Sequence, residues 1–319
     1  MQDRNSAAVT SPKVFPTMIT PFTAENAVDY DGVDALVEWY WKNGCDGIFA
    51  VCQSSEMFFL SLEERVAIAR RVVRRARELA RSSGRPPMTI VVSGHISETK
   101  QDQREELAAM SQTGADALIL LTNRFDGSSD EAWAEGLCEA VSWLPPDLPL
   151  GLYECPKPYK QLLSEGMLAA CAQTGRFAFI KDTCCDGALI GRRLELLRGT
   201  DIALYNANAQ TLLQTLRQGC AGYCGVMANF HPDLYVWLCQ NFNSDFAQVL
   251  QSFLALAAFA EGLTYPAAAK YYLSAFEGLP LRINSRSVDA ALLTDYQKSI
   301  LSQMRTLEMH LRKTSELQS

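Results

Sequence analysis

Eight short apolar runs recur along the chain up to residue 226, and each is separated from the next by a stretch of helical periodicity. They occupy residues 14–22, 47–52, 89–94, 117–122, 150–155, 177–182, 203–207 and 222–226. Apolar and β-branched residues stand at consecutive positions within them. Both faces of such strands must be buried, as in a parallel sheet covered by helices. Parallel neighbours need crossover helices, and eight strand–helix units in this length fit an α/β fold of the closed (β/α)8 TIM-barrel type. The competing doubly wound sheet lacks its signature. No G-x-G-x-x-G opens a helix after the first run, which ends in Thr20-Pro21-Phe22.

The helical stretches carry their own punctuation. Asp31 is placed to cap a helix bearing Val33, Leu36, Val37 and Tyr40, which Gly44 closes. Ser61 and Glu64 form a capping box ahead of Val66, Ala69, Val73 and Ala76. Further helices are predicted over 99–110, 129–143, 160–171, 189–197, 209–217 and 232–240. No strand pattern recurs beyond residue 244, and three helices are expected over 245–261, 266–276 and 288–313. The organisation is therefore a barrel over 14–244 with a C-terminal helical extension over 245–314 packed on it.

Charge and composition narrow the function. With 36 acidic and 29 basic residues the net charge is −7, so nucleic acid gains no general attraction and is not an expected partner. The arginines between positions 70 and 85 read as a solvated outer face. No apolar run is long enough for a bilayer, so no membrane partner is expected. Residues 1–13 are polar and lack the apolar segment of a secretory signal, which points to the cytoplasm. Ten cysteines without a C-x-x-C, and only three histidines, read as reduced buried thiols. Neither a metal nor another cofactor is expected.

A barrel does its chemistry at the C-terminal ends of its strands. Lys181 ends the apolar run Phe177-Ala178-Phe179-Ile180. An amine freed of its charge by such surroundings attacks a ketone to give a Schiff base. The competing reading pairs Lys181 with Asp182 or Glu56. Tyr153 ends the preceding strand, one βα unit earlier, so adjacent strands would bring phenol and amine together. A phenol there relays protons or simply packs in the top layer of the barrel. The turn Gln53-Ser54-Ser55 offers hydroxyls and successive N–H groups suited to a carboxylate, and is also a common βα turn.

Taken in order, these strand ends resemble the dihydrodipicolinate synthase / N-acetylneuraminate lyase family over roughly residues 14–281. The resemblance runs through Thr20-Pro21-Phe22, Val28-Asp29, Gly44-Cys45-Asp46-Gly47, Cys52-Gln53-Ser54-Ser55-Glu56, and Leu60-Ser61 with Glu64-Arg65. It continues through Gly114-Ala115-Asp116, Leu152-Tyr153-x-x-Pro156, Ile180-Lys181-Asp182-Thr183, Gly219, Gly222 and Asn229. The family is a (β/α)8 barrel followed by C-terminal helices, usually tetrameric or dimeric, whose lysine forms a Schiff base with a 2-keto acid. The resemblance implies Lys181 as that nucleophile and Tyr153 as the proton shuttle. It implies that Ser54 and Ser55 hold the keto-acid carboxylate, with Cys224 and Gly225 lining the same pocket and Asn206 beside it.

The departures are specific. Cys52 and Ser55 stand where the family's loop has glycines. Thr122-Asn123-Arg124-Phe125 replaces a Pro-Pro-Tyr-Tyr stretch, and Pro158 aligns near the synthase's carboxylate-binding arginine. Ala209 and Gln210 stand in place of the acidic pair of the sialic-acid lyases. The loss of the tyrosine and the arginine argues against lysine biosynthesis, and the loss of the acidic pair argues against sialic acid as substrate. The expected function is a class I lyase or aldolase acting on pyruvate or another 2-keto acid, with a different second-substrate pocket shaped by Arg124, His95, Asn206 and Lys157. Arg124 is a candidate for a distal carboxylate or an ordinary surface arginine. The alternatives are a 2-keto-3-deoxy sugar acid dehydratase, or a non-catalytic member that binds a small acid.

Overall fold

A computed structural model describes residues 11–314 and 317; most of the expected N-terminal leader lies outside them. Eight strands follow one another: β1 (Lys13–Val14), β2 (Gly47–Val51), β3 (Thr89–Ser93), β4 (Ala117–Leu121), β5 (Leu150–Tyr153), β6 (Phe177–Asp182), β7 (Ala203–Asn206) and β8 (Gly222–Tyr223). All neighbours pair in parallel, and β8 returns to β1. A parallel bridge between Thr17, just after β1, and Phe49 of β2 closes the ring. The fold is the (β/α)8 barrel that the sequence pattern requires.

The covering helices are α1 (Tyr30–Lys42), α2 (Leu62–Ser83), α3 (Lys100–Ser111), α4 (Asp130–Ser142), α5 (Glu165–Thr174), α6 (Gly187–Leu196), α7 (Leu212–Arg217) and α8 (Pro232–Asn241). Beyond them come α9 (Ala247–Ala257), α10 (Ala267–Phe276) and α11 (Asp295–Leu311). No helix among the described residues is long and apolar enough to cross a membrane. On the outer face, Arg71 meets Asp34 and Arg75 meets Glu38, both at 2.7 Å, tying α2 to α1.

Several boundaries differ from the sequence expectation, each for a local reason. The first strand is two residues long rather than spanning 14–22, because Pro16 and Pro21 have no N–H for a ladder. The last strand is Gly222–Tyr223, and the chain then turns into a 3-10 helix at Val226–Asn229. Gly222 has φ +139°, and a Cβ there would lie 1.9 Å from the Lys13 carbonyl, so only glycine lets β8 approach β1. Asp29 rather than Asp31 caps α1, accepting the Gly32 N–H at 3.0 Å. The fifth helix starts at Glu165, where Ser164 caps it, and not at residue 160. The last helix starts only at Asp295, under a capping box of Thr294 and Gln297. The chain between α10 and α11 instead crosses the barrel mouth in irregular conformation, apart from a 3-10 turn at Ala290–Leu292.

Strand periodicity fills the barrel. Alternate residues of β6 point inward, which aligns Phe179 beneath Lys181. Phe179 stacks on Tyr205 at 4.5 Å between ring centres, and Phe15 meets both rings edge-on. Phe49 meets Tyr153 at 5.5 Å. These rings form a dry floor just below the C-terminal ends of the strands.

Candidate active site

The ladder between β5 and β6 sets Tyr153 directly beside Lys181. Lys181 is 5% exposed, and its Nζ stands 4.1 Å from the centre of the Tyr153 ring. It makes no ion pair among the described residues, because both acids that competed for it in the sequence are taken elsewhere. Asp182 is bound by the buried Arg193, which also meets Glu154 at 2.8 Å. Glu56 accepts from Lys270 Nζ at 2.9 Å, Ser285 Oγ at 2.7 Å, Arg286 N at 2.6 Å and Ser287 N at 2.8 Å. Apart from Glu261, the groups that face the amine are neutral.

Three of those groups are thiols from different strand ends. Burial pushes Cys52, Cys155 and Cys224 up, while the nearby Lys181 ammonium pulls each the other way. They stay protonated and form an uncharged collar. Burial also pushes the Tyr153 phenol well up, and the thiols of Cys155 and Cys52 add to that effect. The phenol is hydrogen-bonded to Cys155, whose thiol donates to Gln53 Oε1 at 3.6 Å. Phenol, thiol and amide carbonyl thus form a line leading out from Lys181.

This group opens into a cavity of about 970 Å³. Lys181, Tyr153, Ser54 and Gly225 share its wall. Ser54 Oγ lies 3.0 Å from Thr17 Oγ1. A Cβ on Gly225 would lie 2.3 Å from the Tyr223 hydroxyl, so a side chain there would displace the wall. Ser55, Asn206 and Cys224 lie behind the wall. The Ser55 hydroxyl is within 2.6 Å of the Met18 carbonyl and 2.8 Å of that of Ala50, and its N–H donates to Cys52 O. Asn206 Nδ2 donates to Thr211 Oγ1 and Thr215 Oγ1, and its Oδ1 accepts the Asn208 N–H. Those groups are engaged by the loops themselves. His95 is also behind the wall, fully buried, with Nε2 accepting the Leu121 N–H at 2.9 Å. Burial holds its pKa down to about 4.

The structure adds wall residues that sequence reasoning passed over. Tyr265 follows α9, and its hydroxyl bonds with Ser54 and Thr17 and accepts from Asn229 Nδ2 at 3.2 Å. Glu261, Ser287 and Val288 also line the cavity, beside Gln53 of the turn read from the sequence. Glu261 keeps solvent contact as a residue, yet the surrounding wall holds its carboxyl up to about 7, with Lys181 pulling it down. The Tyr265-Pro266 pair was a visible breaker in the tail. The Ser285–Ser287 segment carried no periodic signal at all.

Fold and site together define a (β/α)8 barrel that presents a buried, unpaired lysine amine at the end of β6 to an open cavity. The chain belongs to the dihydrodipicolinate synthetase family, whose family model matches residues 10–264. The 4-hydroxy-tetrahydrodipicolinate synthase of Methanothrix thermoacetophila is 27% identical over 276 residues, 85% of this chain and 89% of its own. The synthase 1 of Streptomyces coelicolor is 27% identical over 292 residues, covering 88% and 91%. Among solved structures, the sialic acid aldolase of Ruminococcus gnavus superposes with a TM-score of 0.81 at 18% identity, covering 95% of this chain and 98% of its own. YagE of E. coli K12, a prophage protein solved with pyruvate, gives 0.79 at 21%, covering 96% and 100%. These structural likenesses establish the fold.

Proposed function

We propose that this chain is a Schiff-base lyase or aldolase acting on pyruvate or another 2-keto acid. The observation that carries the reading is Lys181 itself: buried, without an ion pair among the described residues, and 4.1 Å from the Tyr153 ring at the floor of a large cavity. The relatives' synthase and aldolase activities support it. Lys181 Nζ attacks the keto carbon, the carbinolamine loses water, and an iminium remains. The iminium takes up the electron pair released when the bond beyond C3 breaks, or supplies it through the enamine when that bond forms. Tyr153 gives a proton to the departing hydroxyl and regains one from water in the open cavity, its phenol held in place by Cys155. The Ser54 hydroxyl and the main chain at Gly225 hold the carboxylate. Ser55, Cys224 and Asn206 support that wall from behind.

The carboxyl of Glu261 on the cavity wall favours a second reading. An acid poised near pH 7 suits protonation of a leaving hydroxyl, as a 2-keto-3-deoxy sugar acid dehydratase requires. Release of water without carbon–carbon cleavage distinguishes it. We further propose a cytoplasmic homodimer or homotetramer, in keeping with the exposed Leu256, Phe259, Leu292 and Tyr296; one solved relative is a monomeric dihydrodipicolinate synthase variant.

The test is intact mass after incubation with pyruvate and borohydride, followed by peptide mapping. A reduced pyruvate adduct on Lys181, absent in Lys181→Ala, is expected. No adduct with pyruvate or with larger 2-keto acids would overturn the reading and leave a binding protein.

A further inference from the structure

We infer that Tyr265, in the turn between α9 and α10, is a positioning residue for the keto-acid carboxylate: it donates a hydrogen bond to Ser54 Oγ and so turns the Ser54 hydroxyl onto the substrate. The inference rests on the Schiff-base reading, with Ser54 as carboxylate donor, and adds the residue that orients that donor.

The chain of contacts begins behind the cavity wall. Tyr40 of α1 and Asn229 of the turn after β8 are both fully buried. The Tyr40 hydroxyl donates to Asn229 Oδ1 at 2.5 Å. Asn229 Nδ2 donates to the carbonyls of Thr17 at 2.8 Å and Val226 at 2.9 Å, and to the Tyr265 hydroxyl at 3.2 Å. Carbonyls only accept, so the NH2 end of the amide must face them, and Tyr265 with them. The Tyr265 oxygen is therefore an acceptor on its buried side.

On the cavity side the same hydroxyl meets those of Ser54 and Thr17, which lie 3.0 Å from each other. Burial pushes the Tyr265 phenol well above its ordinary value, with both hydroxyls pulling the other way, and the phenol keeps its proton. An oxygen that already accepts from an amide has that proton left to give. Its recipients are the two hydroxyls it meets. Thr17 is 1% exposed and lies behind the wall, whereas Ser54 and Tyr265 line the cavity. Ser54 is thus the hydroxyl that a substrate reaches.

Without substrate, Ser54 Oγ donates to Thr17 Oγ1. A carboxylate is the stronger acceptor, and the Ser54 proton turns to it. Ser54 Oγ then accepts from Tyr265. The donors run one way, from Tyr40 through Asn229 and Tyr265 to Ser54, and each bond polarises the next. The bond at the charged end gains most. A neutral group beside the keto carbon gains less, so Tyr265 selects for the carboxylate while acting through Ser54.

The experiment compares pyruvate with pyruvamide, its neutral isostere, in cyanoborohydride trapping on Lys181 over a range of concentrations. The wild type is expected to prefer pyruvate by at least about tenfold in half-saturating concentration. Tyr265→Phe, which keeps the ring and removes the proton, is expected to cut that preference about tenfold by raising the value for pyruvate. Ser54→Ala is expected to cut it as far. The double variant is expected to go no further than Ser54→Ala alone, because the chain is already broken at its last link. Equal losses for the two compounds in Tyr265→Phe would overturn the inference, since the phenol would then only keep the wall in shape. Additive losses in the double variant would overturn it as well, since the phenol would then touch the substrate itself. A Tyr265→Phe protein with the wild-type preference would do the same. Trapping of neither compound by the wild type would remove the Schiff-base reading and the inference with it. Equal trapping of both would leave the Schiff base standing and remove Ser54 as carboxylate donor, and Tyr265 with it.

Discussion

Removing the phenol in Tyr153→Phe should lower turnover by about 10²–10⁴-fold while Lys181 still traps pyruvate under borohydride. Tyr153 was legible in the sequence because a strand end, a fixed ladder and the spacing to Lys181 all point to one place. Cys155 was not, because it fills an unconstrained position between Tyr153 and Pro156, and only three-dimensional proximity links its thiol to the phenol and to Gln53. Cys155→Val breaks the line to Gln53 without removing the phenol. It should cost about tenfold in kcat with little change in KM, and Cys155→Ser, which keeps a donor, should recover most of it. A Cys155→Val enzyme with unaltered kcat and pH profile would show that the thiol does not position the phenol. Glu261 sets a pH dependence. Its carboxyl is neutral below about 7 and charged above. The 2-keto acid, itself an anion, should therefore bind more weakly as pH rises from 6 to 8, and Glu261→Gln should flatten that trend in KM.

Elements were legible in kind and order, and less so at their ends. Runs of apolar residues specify strands, but a ladder also needs N–H donors, and Pro16 and Pro21 supply none to the chain after β1. The α1 cap fell on Asp29 because a cap must precede the first helical residue, Tyr30. His95 shows how two strands are locked together. Its imidazole follows β3 and accepts the last N–H of β4, while Nδ1 lies 3.3 Å from Gln103 Oε1 of α3. That geometry needs the neutral ring. The unfolded imidazole takes up its proton near pH 6.5, the folded one only near 4. Stability from this group is complete above about 6.5 and is lost as pH falls toward 4. At pH 5 the loss should be about 2 kcal/mol. Nuclear magnetic resonance of the imidazole should show His95 neutral at pH 5; a titration near 6.5 would contradict the lock.

At the scale of the molecule, the C-terminal extension completes the barrel mouth instead of merely covering its side. Glu56, in left-handed conformation at the end of the β2 loop, gathers Lys270 from α10 and the Ser285, Arg286 and Ser287 segment beyond it. Arg286 then reaches Glu64 at the start of α2, at 2.8 Å through both Nη1 and Nη2. Sequence periodicity could not show this, since the contacts join residues more than 200 positions apart and the crossing segment has no regular structure. The clamp places Ser287 and Val288 on the cavity wall. Its central ion pair is buried on both sides. Removing one partner from such a pair costs about 3–5 kcal/mol, because a charge is left without compensation. Lys270→Met should therefore lower stability to urea by about that amount. It should also slow pyruvate trapping at Lys181, since the wall above the amine loosens. Adding Glu56→Gln removes the stranded charge, and the double variant should regain most of the stability while trapping stays slow. Urea midpoints for the two single variants and the double variant, each paired with a trapping rate, separate the two effects. A Lys270→Met protein as stable as the wild type would show that the segment is held by Arg286 and the backbone donors alone.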